Sequence, residues 1–164
     1  MHDPEQLVPS TIVNPFAFLY EYPDEQEVAT RPDVVVFSSD PLSEPLTLAG
    51  RVVAHLTVGS DAPSMFVHVK LVDVDPDGGA HILLYRQDAV EQPGDGTPAQ
   101  LYLGHTGHRL MPGHRLRLQV ASSDYPLYLP HPGTAENPWL AVETRINHQR
   151  LVTGSSYLSL TVLD

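Results

Sequence analysis

The chain predicts an all-β fold, an antiparallel β-sandwich with little or no helix, on three observations. Strand-length phrases follow one another between residues 31 and 126, among them RPDVVVFSSDPL, LTLAGRVVAHLTVGSDAP, FVHVKLVDVDPDGG and LMPGHRLRLQVASSDYP. Within them apolar and polar residues alternate with the period of two that lets a strand bury one face. Turn chemistry separates the phrases, supplied by 16 Pro and 11 Gly, residues that end strands and set reversals. No long stretch shows a helical period with caps, and no repeat recurs at a fixed spacing.

The elements follow in order. Residues 1–30 carry Pro4, Pro9, Pro15, Pro23 and the acids Asp24, Glu25 and Glu27, without a sustained period. They read as an extended lead-in, whose PFAFLYEY stretch is apolar enough to pack on the sandwich. Residues 34–37 (VVVF) suit a strand covered on both faces, stopped by Asp40-Pro41. Residues 52–58 follow Gly50. In 66–74, Val67, Val69 and Leu71 take one face and Phe66, His68, Lys70 and Val72 the other. Pro76-Asp77-Gly78-Gly79 supplies a pre-set proline and positive-φ glycines, so 66–74 and 80–85 form a hairpin. QDAVEQPGDGTPAQ reads as a surface loop. In 115–122, Leu116, Leu118 and Val120 point inward while Arg115, Arg117 and Gln119 face water or a partner. Leu158, Leu160 and Val162 repeat that pattern in the last strand.

Size and charge narrow the function. A chain of 164 residues fits one domain, with the sandwich over 31–164. Nine Lys and Arg against twenty Asp and Glu give a net charge of −11, and the few cations form no basic stripe that would release counterions from phosphates. Nucleic acid is excluded as a partner. The start MHDPEQLVPS has neither a basic n-region nor an apolar h-region, and no apolar run approaches the ~20 residues that cross a bilayer. The expectation is a soluble chain without export signal or membrane partner, cytoplasmic by default. With no Cys, disulfides, thiolate metal sites and a cysteine nucleophile are absent together.

VVVFSSDPL, LAGRVVAHLTVGSDAPSMFVHVKLVDVDPDG, HRLMPGHRLRLQVASSDYP and the closing LSLTVL, in this order, resemble the C-terminal jelly-roll domain of the Xaa-Pro dipeptidyl-peptidase and cocaine-esterase (CocE/NonD) group of serine hydrolases. Gly113-His114-Arg115 is the sharpest piece. The loop LYLPHPGTAENPW departs from the group's Asn-Pro-Asn-Thr-Gly phrase, which only Pro132, Gly133 and Thr134 echo. The resemblance implies a galactose-binding-domain-like jelly roll that packs beside a catalytic α/β-hydrolase domain and helps shape access to its site. Arg115, Arg117 and the Tyr125 to Trp139 loop are then the candidate contacts. An α/β-hydrolase carries its serine on a Gly-x-Ser-x-Gly elbow within a βαβ pattern; this chain has neither, so no catalytic residue is assigned. Met1 and the short lead-in favour a small protein that uses the jelly roll alone over a piece of a longer enzyme.

Other constellations compete with that role. Asp73-x-Asp75-x-Asp77-Gly78 opens like a calcium loop, but its twelfth position is Leu84 where a bidentate glutamate belongs. An ordinary hairpin turn explains it better. His105, His108 and His114 are near in sequence, yet strand period puts the first two on opposite faces. No cofactor is called for. Ser122, Ser123, Asp124, Tyr125, Tyr128, His131 and Trp139 form a polar and aromatic loop cluster suited to a sugar or another small amphipathic ligand. A free-standing binding module is therefore one alternative, and a small enzyme with an Asp/His acid–base pair inside the sandwich is another. A sheet face without its usual cover would pair in a homodimer.

Overall fold

The computed structural model describes residues 1–12 and 23–163, so the PFAFLYEY stretch lies outside the described residues. Eight strands run through it: β1 (Val35–Ser38), β2 (Leu46–Ser60), β3 (Ser64–Val74), β4 (Ala80–Glu91), β5 (Thr97–Leu110), β6 (Arg115–Ala121), β7 (Gln149–Leu151) and β8 (Tyr157–Leu163). One sheet has the order β1-β6-β3-β4; the other is β5-β2-β7, with β8 also on β2. Every strand pair is antiparallel. Most connections change sheet, from β1 to β2, β2 to β3, β4 to β5, β5 to β6 and β6 to β7, which is the jelly-roll crossing pattern. Helix among the described residues is confined to the short 3-10 turns Val28–Thr30 and Thr153–Ser155.

Alternation explains the interior. Val67, Val69 and Leu71 of β3 meet Ala54, Leu56 and Val58 of β2 and Leu118 and Val120 of β6 in one core. The β3–β4 hairpin turns at the expected residues, with the Asp75 N–H donating to the Gly79 carbonyl at 2.9 Å and Gly78 at φ +100°. In β5 the register against β2 slips between Val52 and Val53, where Gly104 takes φ +129°. A one-residue slip exchanges the two faces of a strand. Leu101 and Leu103 therefore point inward before it and Leu110 after it.

Four local expectations change. Residues 34–37 are not covered on both faces: β1 is an edge strand, with Val35 and Phe37 exposed and Val34 in a small cluster with Val8 and Val28. QDAVEQPGDGTPAQ is mostly strand, because β4 continues to Glu91 and β5 starts at Thr97; only Pro93, Gly94 and their neighbours break the ladder. Gln119 is buried, not facing water, since the lead-in covers the outer face of β3 and β6. Val162 is exposed, leaving Leu158 and Leu160 to pack on the core.

Leu118 pairs with Phe37 on one side and Leu71 on the other. Leu118→Asn removes its packing and buries an amide without a partner, so urea denaturation should show a loss of at least about 3 kcal/mol. A loss under about 1 kcal/mol would contradict this assignment of the core.

Candidate functional site

The aromatic loop cluster does assemble, in part, around a groove. Phe66 of β3, Gln87, Ala89 and Glu91 of β4, and the loop from Leu127 to Trp139 enclose about 720 Å³. Tyr128, His131 and Trp139 line it, as the sequence grouped them. Tyr128 forms a wall, its ring against Tyr85 and His68. Trp139, Leu140 and Val142 stand beyond the rim at 79 %, 76 % and 92 % exposure. Their backbones are tied down: the Trp139 N–H donates to Asn137 Oδ1 at 2.9 Å and the Val142 N–H to Glu136 Oε2 at 3.1 Å. At the base of the loop the Arg145 N–H donates to the Pro132 carbonyl at 2.7 Å. Gly133 beside it has φ +80°, and a Cβ there would collide with the Arg145 carbonyl oxygen, so only glycine fits.

One pair in the groove resembles a nucleophile with its base. His131 Nε2 lies 2.9 Å from Ser64 Oγ. The Gly133 N–H, however, donates to His131 Nδ1 at 2.9 Å, so the ring proton sits on Nε2 and the imidazole donates to the serine. A base that activates a hydroxyl must accept its proton, and this tautomer cannot. Burial, then the nearby His2, pushes the His131 pKa down to about 4. His2 is neutral in the same way: Nε2–H donates to the His131 carbonyl and Nδ1 accepts from Ser122 Oγ, both at 2.9 Å. Burial also lowers the pKa of His2.

Beneath Tyr128 lies a charge cluster that the sequence reading missed. Lys70, 2 % exposed, donates from Nζ to Glu25 Oε1 and Asp124 Oδ1 at 2.8 Å each, and both acids are fully buried. Glu25 Oε1 also accepts from Thr11 Oγ1 at 2.5 Å, and Asp124 Oδ2 from Ser10 Oγ at 3.1 Å. Burial raises the Asp124 pKa against the pull of Lys70. His68 Nε2 comes within 3.5 Å of Asp124 Oδ2, but burial and then Lys70 drive its pKa to about 3. The ring is neutral and the contact is no ion pair. The free space here is about 10 Å³, which admits no substrate. Lys70 is the chain's only lysine and sits mid-strand between valine and leucine; that was the available signal.

The remaining candidates lie apart. Asp124 holds the lead-in and has no surface to offer a ligand. Tyr125 is exposed, while its backbone pairs with Val8 and Ser10. Arg115 and Arg117 bond Ser39 and Ser38 at the β1 edge, about 20 Å along the sheet from Phe66 at ~3.3 Å per residue. Asp73 turns toward the end of the interior, where its two oxygens take His108 Nε2 and His114 Nδ1 at 2.8 Å each. Asp75 Oδ1 accepts the N–H groups of Asp77 and Gly79, so Asp75 serves the hairpin turn while Asp73 serves the two histidines, and the three aspartates do not converge. His105 bonds the Tyr102 hydroxyl at 2.5 Å on the outer face. Among the described residues no group of three or more His, Cys, Asp or Glu could hold a metal ion.

A sealed polar interior, a serine facing the wrong tautomer and a jelly-roll crossing of two antiparallel sheets define a class: a β-sandwich without the serine elbow of an α/β-hydrolase. The chain belongs to the X-Pro dipeptidyl-peptidase C-terminal non-catalytic domain family, which it matches over residues 6–160. It is 34 % identical over 116 residues to the cocaine esterase of Rhodococcus sp. (strain MB1 Bresler), covering 64 % of this chain and 20 % of that one. Its structure superposes with a TM-score of 0.84 and 26 % identity on an aminopeptidase from a marine sediment archaeon, Thaumarchaeota archaeon, covering 99 % of this chain and 32 % of that one. An α-amino acid ester hydrolase gives a TM-score of 0.84 at 28 % identity, covering 98 % of this chain and 31 % of the other. The chain thus spans a fifth to a third of these relatives. No helix among the described residues is long and apolar enough to cross a membrane.

Proposed function

We propose that this domain packs beside a catalytic α/β-hydrolase domain, in one chain with it or as a separate subunit, and shapes access to the catalytic site without supplying a reacting group. The supporting observation is the Trp139-Leu140-Ala141-Val142 run that leads away from the groove wall at Trp139, whose three large apolar side chains are 76–92 % exposed. Isolated soluble domains rarely leave such a patch uncovered. The relatives supply the occupant's chemistry, since their additional length leaves room for the hydrolase that their names describe.

The test mixes this chain with the hydrolase domain encoded with it or beside it. A one-to-one complex should sediment, Trp139 fluorescence should shift to the blue, and Trp139→Ala should weaken binding about tenfold, as loss of a central aromatic anchor does. Self-association without the hydrolase would give the rim to a second copy; thermal stabilisation by a sugar, with no complex, would favour the binding-module reading. Alone, the chain should take no label from a fluorophosphonate and release no nitroaniline from a prolyl substrate. Stoichiometric labelling of Ser64 would overturn the non-catalytic assignment.

A further inference from the structure

The two sheets differ in charge. β2, β5, β7 and β8 contain no Asp, Glu or Lys, although the chain has twenty Asp and Glu. Burial accounts for the inward half of these strands. It does not account for the outward half, which forms one flat face along residues 47–57, 98–109 and 157–163. A solvated surface ordinarily mixes charges of both signs. Asp61 and Asp95, past the end of β2 and before the start of β5, are held by His148 and Arg150. The carboxylate-free face is about 33 Å long and 10–15 Å wide, from strand rise and spacing.

Its side chains are those of a protein interface. Arg51 and Arg109 are exposed, and among the described residues neither has a carboxylate within 4.0 Å, whereas Arg31, Arg86 and Arg150 each hold an aspartate. Tyr102 and Tyr157 are exposed as well, and both rings are held in place. Arg51 lies over the Tyr102 ring at 5.0 Å, His105 Nδ1 bonds the Tyr102 hydroxyl, and Tyr157 stacks on His55 with ring centres 4.3 Å apart. Interface cores are enriched in Tyr and Arg and depleted of Lys, Glu and Asp, and groups fixed before binding lose little entropy on docking. Arg109 stands four residues along β5 from His105, which pairs with Arg51, so the two guanidiniums belong to positions about 13 Å apart. That spacing fits an extended surface better than one small anion.

We propose that the outer face of β2, β5 and β8 docks an acidic surface of a second protein, with Tyr102 and Tyr157 as anchors and Arg51 and Arg109 opposite its carboxylates. Charge complementarity sets the sign of the partner, since guanidinium pairs with carboxylate through charge-assisted hydrogen bonds. A second copy of this chain does not fit, because a two-fold pairing sets a face against itself and would bring like charges together. The Trp139 groove is built on the outward side chains of β3 and β4, on the opposite side of the sandwich. This inference therefore does not depend on docking there, and both surfaces can be occupied at once.

The probes are a decapeptide alternating Glu and Tyr, its counterpart alternating Lys and Tyr, and hexagalacturonate, each titrated into the full chain and followed by NMR. The Glu–Tyr peptide should give saturable shifts at Arg51, Tyr102, Arg109 and Tyr157, weakening as salt rises from about 50 to 500 mM. The Lys–Tyr peptide should leave those residues unshifted. Arg51→Gln/Arg109→Gln, exposed substitutions that leave the core intact, should weaken Glu–Tyr binding about tenfold, and Trp139→Ala should leave it unchanged. The complex with the hydrolase domain should form undiminished in the arginine variant. Its loss there would give this face to the hydrolase and overturn the proposal. So would Glu–Tyr shifts confined to other residues, unchanged affinity in the arginine variant, hexagalacturonate binding as tightly as the peptide, or self-association of the chain that the arginine variant removes.

Discussion

Lys70→Met is expected to lower the stability of the fold by about 3–5 kcal/mol, because removing one partner of a buried ion pair leaves the others charged and unsolvated. Here the survivors are Glu25 and Asp124, both fully buried. For a chain of this length the melting temperature should fall by roughly 6–20 °C. The loss has a signature beyond its size. Adding Glu25→Gln and Asp124→Asn to Lys70→Met removes the stranded charges, so the triple variant should recover much of the loss, since neutral side chains of similar volume often replace such groups at little cost. Glu25 belongs to the lead-in, so Lys70→Met should also free that segment, with earlier amide exchange at Ala29, whose N–H donates to the Glu25 carbonyl at 3.0 Å. A drop under about 1 kcal/mol would show that the three charges do not form one unit.

The second large effect is acid lability. His68 and His131 have pKa values near 3 and 4, and that of His2 is also lowered, against an ordinary 6.5. At neutral pH these rings are uncharged in the folded and unfolded chain alike, so the full stability is present above pH 6.5. As the pH falls below that value the unfolded chain takes up protons that the folded one refuses, and stability declines until the folded pKa values are reached. With three such groups the slope reaches at most about 4 kcal/mol per pH unit. Asp124 works the other way, since its raised pKa lets the folded state take a proton first, but that offset begins only as the carboxylates titrate. Urea midpoints between pH 7 and 4.5 should therefore fall steeply. His131→Gln keeps a donor and an acceptor for Ser64 and Gly133 and should flatten the slope by about one third. A midpoint constant over that range would contradict the neutral burial of these imidazoles.

The two effects share a structural cause, the lead-in. It closes over the outer face of β3 and turns the side chains of His68 and Lys70, which a strand's period places opposite the core, into a second interior. Alternation in FVHVKLV told which residues share a face, and that part stood. It did not tell what covers the face. Gln119 and Asp124 read as surface residues for the same reason, and both are buried.

The loop cluster was legible as a composition and only partly as a place. Tyr128, His131 and Trp139 meet in the groove, but Phe66 and Ser64, which complete it, come from a strand some sixty residues earlier. Arg115 and Arg117 were legible as outward residues of β6. The serines they bond, Ser38 and Ser39, were not legible, since that depends on which strand borders β6, and the fold places the short edge strand β1 there.

By itself the amino-acid order determined the strands other than β5 and β7, the hairpin at Pro76 to Gly79, the all-β class and the family, because all of these rest on short-range periodicity, turn residues and the succession of phrases. The tertiary structure decided which polar residues are sealed, which tautomer His131 holds and where the sandwich stays open. Those outcomes depend on contacts between residues far apart in the chain, where burial and hydrogen-bond partners set the charge of a side chain and local pattern carries no record of them.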